Sequence, residues 1–398
     1  LVVALFFHGA LLLAGSYRGT YDAYVHIFFG DHYRRDWFSL WDTRWYTGFT
    51  LVSYPPLTHQ LIGLIAKLTG NLTTGFVAVM LTSSLTTTLG VYRFSRLWIN
   101  ERAAGYAALL TAFSSSIAET VHVFGQLPTM FVMGVMLNAL PFIWSWLKDA
   151  RLRDLIRGWA MLMIAAAGHH VTTLFGMVFF SGPIIATILL LMFRTPRADE
   201  GERADERVSL HTLFRWGVRR VRRVFPTLAR TGVFCVGLIL ILVITVLPYW
   251  LWSKSDPITQ ISIPHASRDS FIVNSAAGLM FFLVPWGVQL IAFPYALYKG
   301  FGSRNWILAA SFAGCAFLGT GGTTPLPAFL LKGAYYILTL DRFTFWSTIL
   351  ILPFAGQFVE SLVHGRLGAW IAGHFGAWWR IGLISGYFGA LIAVALFT

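Results

Sequence analysis

The chain has 398 residues, of which 56% are hydrophobic and only 12% charged, and a mean hydropathy of +0.65. That balance excludes an ordinary soluble domain. The formal net charge of +13 does not point to nucleic acid, because ten arginines against five acids are gathered in residues 194–230, between two apolar segments, where basic connections normally mark the cytoplasmic side of a membrane protein.

In chain order, an apolar run occupies residues 1–15. It is read as a first helix cut short rather than a cleaved signal peptide, since no basic segment precedes it. A long connection follows, residues 16–71, rich in Trp37, Phe38, Trp41, Trp45, Tyr46, Phe49 and Tyr54. Such density suits helices lying at the membrane interface. Within it, residues 55–68 carry too few apolar residues to span and hold His59, Gln60 and Lys67, so a re-entrant or half-buried helix is expected there.

Further spans are expected at 72–92, 103–118, 127–147, 158–168, 171–193, 229–252, 275–298, 305–319, 343–363 and 381–398. The total of about eleven makes an all-α, polytopic transmembrane bundle forming a single domain over 1–398, with no internal repeat. No ten-residue segment alternates with period two, so a barrel is not expected. Taking 194–228 as a cytoplasmic loop on anionic lipid places the basic connections 93–102, 148–157, 299–304 and 366–380 on the same side. Cys235 and Cys315 lie in apolar helices and suggest neither a disulfide nor a thiolate metal site.

The same alternation gathers the unusual polar residues at the outer side: Asp22, His26, Asp42, Glu119, His122, His169, His170, Asp341 and Arg342. Ionisable groups near hydrocarbon are costly unless paired or lining a wet cavity, which makes them functional candidates. At i, i+4, Asp22 and His26 share a face if 20–30 is helical, with Thr20 as N-cap. The pair suits a general base beside an imidazole, two ligands of a divalent metal, or an interfacial cap that only fixes the loop. Glu119 and His122 repeat the theme at i, i+3. His169 and His170 are adjacent and cannot share a face. In residues 319–343, glycines and prolines precede Lys332 and an Asp341/Arg342 pair. The cations suit phosphate oxygens, while a local salt bridge with an interfacial lysine is the simpler alternative. GTGG at 319–322 is not followed by GK[ST] and is no P-loop.

Taken together, YDAYVH at 21–26, the tryptophan-rich GDHYRRDWFSLWDTRWYTGF at 30–49, YPPL, FGQLP at 124–128, GHHVTTLF at 168–175 and GTGGTTPLP followed by LTLDRF resemble the GT-C superfamily of polytopic glycosyltransferases. Among these the chain is most similar to bacterial integral membrane proteins whose label mentions 6-pyruvoyl-tetrahydropterin synthase. The resemblance runs over nearly the whole chain and rests on motif order.

It implies transfer of a sugar from a polyprenyl-phosphate carrier to an acceptor on the extracytoplasmic face of a bacterial cytoplasmic membrane. Asp22 would be the catalytic base with His26 beside it. Arg342 and Lys332 would face the carrier phosphate, and Tyr54, Pro55 and Pro56 would wall the site. Asp42, Glu119, His122, His169, His170 and Asp341 complete the expected substrate contacts. The family's D-x-D pair is absent from this sequence, which leaves a divalent metal, Mg or Mn, open. The expected partners are the polyprenyl-phosphate sugar, anionic lipids and other membrane proteins. Two other classes compete: a transporter of a lipid-linked substrate, and a non-catalytic subunit of a larger membrane complex.

Overall fold

The structure, a computed structural model, describes residues 1–45, 47–51, 54–194, 210–255, 264–336 and 338–398. Tyr46, the loop arginines Arg197, Arg203 and Arg207 with their five acidic neighbours, and positions 256–263 lie outside the described residues.

Helix α1 (Val2–Leu13) leads through a 3-10 turn into α2 (Ala23–Arg35). A two-stranded antiparallel hairpin, β1 (Trp41–Asp42) with β2 (Phe49–Thr50), pairs Trp41 with Thr50 and Asp42 with Phe49. Next come α3 (Leu57–Thr69), α4 (Leu72–Ser95), α5 (Glu101–Ala112) and α6 (Ser115–Ala118), the last continuing as a π-helix over Glu119–Phe124. Three long helices follow, α7 (Leu127–Asp149), α8 (Leu152–Gly168) and α9 (His170–Arg194), and then α10 (Leu210–Ser255). A broken span from Ser275 to Phe301 contains α11 (Ser275–Gly278), α12 (Val284–Trp286) and α13 (Phe293–Phe301). The chain closes with α14 (Trp306–Leu318), α15 (Leu326–Leu331), α16 (Asp341–Leu350), α17 (Leu352–Val363), α18 (Arg366–Phe375) and α19 (Ala377–Phe397).

Among the described residues seven helical stretches are long and apolar enough to cross a membrane, and α5 with Ser115–Phe124, bent by 43°, makes an eighth candidate if the pair is one broken span. The other three expected crossings fall in α1, α8 and α14, of 12, 17 and 13 residues. At about 1.5 Å per residue these reach roughly 18–26 Å, less than a full hydrocarbon thickness. The expected eleven therefore divide into eight full-length candidates and three short helices. The expected half-buried helix over 55–68 is α3, which buries Thr58, His59, Ile62, Gly63 and Ala66 on one face.

Polar side chains stitch the apolar helices together. In α7, Asn138 donates to the carbonyls of Thr86 and Gly134 at 2.8 Å each, and Thr87 of α4 donates to Met130 at 3.3 Å. Small polar residues of this kind let helices approach closely where lipid provides no hydrophobic drive. The α2–α3 crossing is also close: a Cβ at Gly63 would lie 2.9 Å from the carbonyl oxygen of Gly30, so only glycine fits there.

The turns carrying the basic connections meet at one end of the bundle. Asn305 donates to the Trp98 carbonyl at 3.1 Å, Asn100 to the Glu360 carboxylate at 3.0 and 3.1 Å, and Arg230 to the carbonyls of Leu147 and Lys148 at 2.6 and 2.9 Å. The helix ends at Leu13, Gly168 and Leu318 and the start of α16 lie at the other end, where the conspicuous acids and histidines are found.

Candidate active site

The first turn of α2 is docked onto the end of the π-helix: the amides of Tyr21 and Asp22 donate to the carbonyls of Val123 and Phe124 at 3.2 and 2.9 Å. The contact depends on Gly125, which has φ +69 and where a Cβ would press against the Thr20 hydroxyl and the Ala23 amide. Thr20 accepts from that amide at 3.3 Å, but α2 starts at Ala23 and its N-cap position is Asp22, two residues later than the N-cap expected at Thr20. Asp22, the residue immediately before α2, makes no side-chain capping bond. Asp22 lines a cavity of about 480 Å³ together with Tyr21, Phe124, Gln126, His265 and Asp341.

An adjoining narrow hollow is lined by Glu119, Gln126, Phe281, Asp341 and Arg342. Phe124, Gln126, Phe281 and Asp341 belong to both spaces, so Asp22 and Arg342, 320 positions apart, line two adjoining spaces with shared walls. Burial raises the Asp22 carboxyl above its ordinary value; Arg342 partly opposes this and Asp341 reinforces it. The Arg342 guanidinium donates through Nε to Thr339 at 2.9 Å, while its buried Nη1 has no hydrogen-bond partner. The buried Oδ1 of Asp341 is likewise without one. Among the described residues no ion pair joins Asp341 to Arg342, so the simple local salt bridge is not formed.

The other expected residues stand elsewhere. His26, 1% exposed, does not turn to Asp22: its Nδ1 lies 3.0 Å from Nε2 of His59. The Tyr54 ring packs against His26, His59 and His169, with centroids 5.9, 5.7 and 5.5 Å apart. The Tyr54 hydroxyl is held above its ordinary pKa by burial, with Arg342 opposing and Asp22 adding to the effect. The ring therefore stands between the imidazole cluster and the Asp22/Arg342 region. His169 bonds through Nδ1 to the Thr172 hydroxyl at 2.7 Å, and its ring meets that of His170 at 6.2 Å and 68°. His122 is tied to His8, Nε2 to Nδ1 at 3.0 Å, and to the Ser16 hydroxyl at 2.7 Å; it lines neither space.

Asp42 is a clamp rather than a lining residue. Arg44 donates to it through Nε at 3.0 Å and through Nη2, His32 lies 3.1 Å away, and Arg44 also bridges to Asp31 at 2.6 Å. Burial alone would raise the Asp42 carboxyl, but the hydrogen bonds from Arg44 outweigh it and hold it below the ordinary carboxylate range. Lys332 is exposed and lines neither space. A divalent metal finds no donor set: among the described residues no three His, Cys, Asp or Glu side chains are grouped to hold one.

His265 and His8 carry no expectation from the sequence, and His59 stands there only as a polar residue of the 55–68 segment. His265 lines the larger cavity, bonds Ser267 Oγ at 2.8 Å and packs against Phe281 at 5.1 Å. No motif in 264–274 signals it. His59 and His8 could have been suspected as imidazoles in otherwise apolar faces.

By sequence, the chain matches no protein-family model and no curated protein. By structure, it is similar to ArnT from Cupriavidus metallidurans in the apo state, with a TM-score of 0.51 and 14% identity over 93% of this chain and 69% of that one. It also matches the archaeal oligosaccharyltransferase AglB from Archaeoglobus fulgidus, solved with an inhibitory peptide and a dolichol-phosphate, with a TM-score of 0.48 and 12% identity over 95% of this chain and 51% of that one. This chain has a GT-C-like fold.

Proposed function

We propose that the chain is a membrane glycosyltransferase that moves a sugar from a polyprenyl-phosphate carrier to an acceptor on the extracytoplasmic face. The observation that carries this reading is the joining of Asp22 and Arg342 across two spaces that share Asp341. The basic connections at the opposite end favour a cytoplasmic placement of that end, which turns the cavity outward.

In the proposed reaction an acceptor oxygen attacks the anomeric carbon, the bond from that carbon to the phosphate oxygen breaks, and the anomeric configuration inverts. Asp22 takes the acceptor proton. A carboxylate whose affinity for protons is raised by burial is a better base near neutral pH than an exposed one. The unpartnered Nη1 of Arg342 receives the negative charge that develops on the departing phosphate. The larger cavity, with Phe124 and Phe281 beside Gln126 and His265, holds the acceptor.

The test is release of polyprenyl phosphate by the purified, reconstituted chain from a panel of polyprenyl-phosphate hexoses and pentoses, with membrane lipid extract as acceptor source. Asp22→Asn is expected to lower turnover by about 10²–10⁴ while the melting temperature stays close to wild type. Equal turnover in that variant removes Asp22 as base. A wild type without turnover that co-purifies with stoichiometric partners points to the non-catalytic subunit instead.

A further inference from the structure

At the basic end, far from Asp22, a second cavity of about 330 Å³ opens between α5, α13 and α17. Its wall includes Arg102, Lys299, Gln357, Glu360, Ser361 and His364. Arg102 and Lys299 are exposed, and neither is in an ion pair among the described residues. The one carboxylate in the wall is engaged elsewhere: both oxygens of Glu360 accept from the Asn100 amide, at 3.1 and 3.0 Å. His364 bonds through Nε2 to the Tyr106 hydroxyl at 3.1 Å, which fixes that wall.

Two cations without acidic partners, beside an amide and a hydroxyl in a concave space, make a site for an oxyanion. Its position selects the source. The cavity lies at the ends of membrane-crossing helices, where the bilayer presents phosphate groups, and basic pockets between helices on the cytoplasmic side suit anionic headgroups. We propose that this cavity binds the phosphate headgroup of an anionic phospholipid, with Arg102 and Lys299 as the charged contacts and Ser361 and Gln357 as hydrogen-bond donors. Arg102 offers a planar fork to two phosphate oxygens and Lys299 a single point charge. This site is independent of the sugar-transfer reading.

The test uses the full chain in neutral detergent, titrated with short-chain phosphatidylglycerol and followed by native mass spectrometry. Short-chain phosphatidylcholine and inorganic phosphate are the comparison ligands. The expected result is that the Arg102→Ala/Lys299→Ala double variant loses about tenfold in affinity for phosphatidylglycerol, with little change for phosphatidylcholine. Glu360→Gln keeps an acceptor for Asn100 but removes the opposing charge, so it is expected to tighten binding about threefold. Because the two substitutions act in opposite directions, a general loss of folding cannot produce both. Equal phosphatidylglycerol affinity in wild type and both variants overturns the site. Competition by inorganic phosphate as effective as the lipid itself assigns the cavity to free phosphate and overturns the lipid.

Discussion

The Nδ1 of His26 and the Nε2 of His59 stand 3.0 Å apart with both side chains 1% exposed. One ring must donate and the other accept, so at least the accepting ring is neutral in the folded chain. Burial lowers His26 to about 3 and also drives His59 well below its ordinary 6.5, with His26 adding to the effect on His59. The folded state therefore binds fewer protons than the unfolded one below pH 6.5. Stability is fully present above that value and is lost as pH falls toward about 3. Thermal melts in detergent are expected to show a steep loss between pH 7 and pH 4. His59→Leu should destabilise at pH 7.5 by about 1–3 kcal/mol, by leaving His26 without its partner, and should make the acid loss shallower. A slope unchanged by that substitution contradicts the assignment.

Arg342 and Lys332 were expected to share the carrier phosphate, and the structure separates them. Arg342→Ala is expected to cost about 10²–10³ in turnover, whereas Lys332→Ala, at an exposed position outside both spaces, should stay within about twofold of wild type. Steady-state release of polyprenyl phosphate measures both. A comparable loss in both variants would restore Lys332 to the site.

The acid limb of the pH–rate profile reports the base. Because burial raises Asp22, that limb is expected above the ordinary carboxylate value of 3.8. Arg342 lowers Asp22 and Asp341 raises it. Residual activity in Arg342→Ala should therefore show the limb shifted further up, and Asp341→Asn should shift it down. Shifts of the opposite sign would mean that another group titrates.

Asp42 and Arg44 predict a stability effect without a catalytic one. Asp42 is 2% exposed, but its cover is thin and close to the surface, so the cost of losing its cation is well below that for a deeply buried charge. Arg44→Ala should destabilise by about 1–2 kcal/mol, read as a lower melting temperature, with turnover per folded molecule unchanged. A selective loss of turnover would make the clamp part of the site.

Hydropathy and charge asymmetry made most of the architecture readable, because apolar length and basic connections are local properties of the chain. They also brought Asp22, Glu119, Asp341 and Arg342 together, since alternation of spans alone decides which turns share an end. Pairings between imidazoles were not readable. His122 meets His8 across 114 positions and His26 meets His59 across 33, and no spacing rule encodes such contacts. The clamp on Asp42 has a local signal: Arg44 follows at i+2, just past β1, where its amide donates to Asp42 Oδ1 at 2.9 Å in an Asx-type turn. The π-helix at Glu119–Phe124 carries no sequence mark of its own. It is held by the docking of Tyr21 and Asp22, a contact made only once the chain is folded.

The central claim is that Arg342 receives the carrier phosphate in the space adjoining the one that Asp22 lines. A structure of the chain in nanodiscs with polyprenyl phosphate tests it most directly. The account predicts phosphate density within hydrogen-bond distance, about 3 Å, of Arg342 Nη1, open to the cavity lined by Asp22. Phosphate bound at Lys332, or lodged where packed side chains separate it from Asp22, would contradict it.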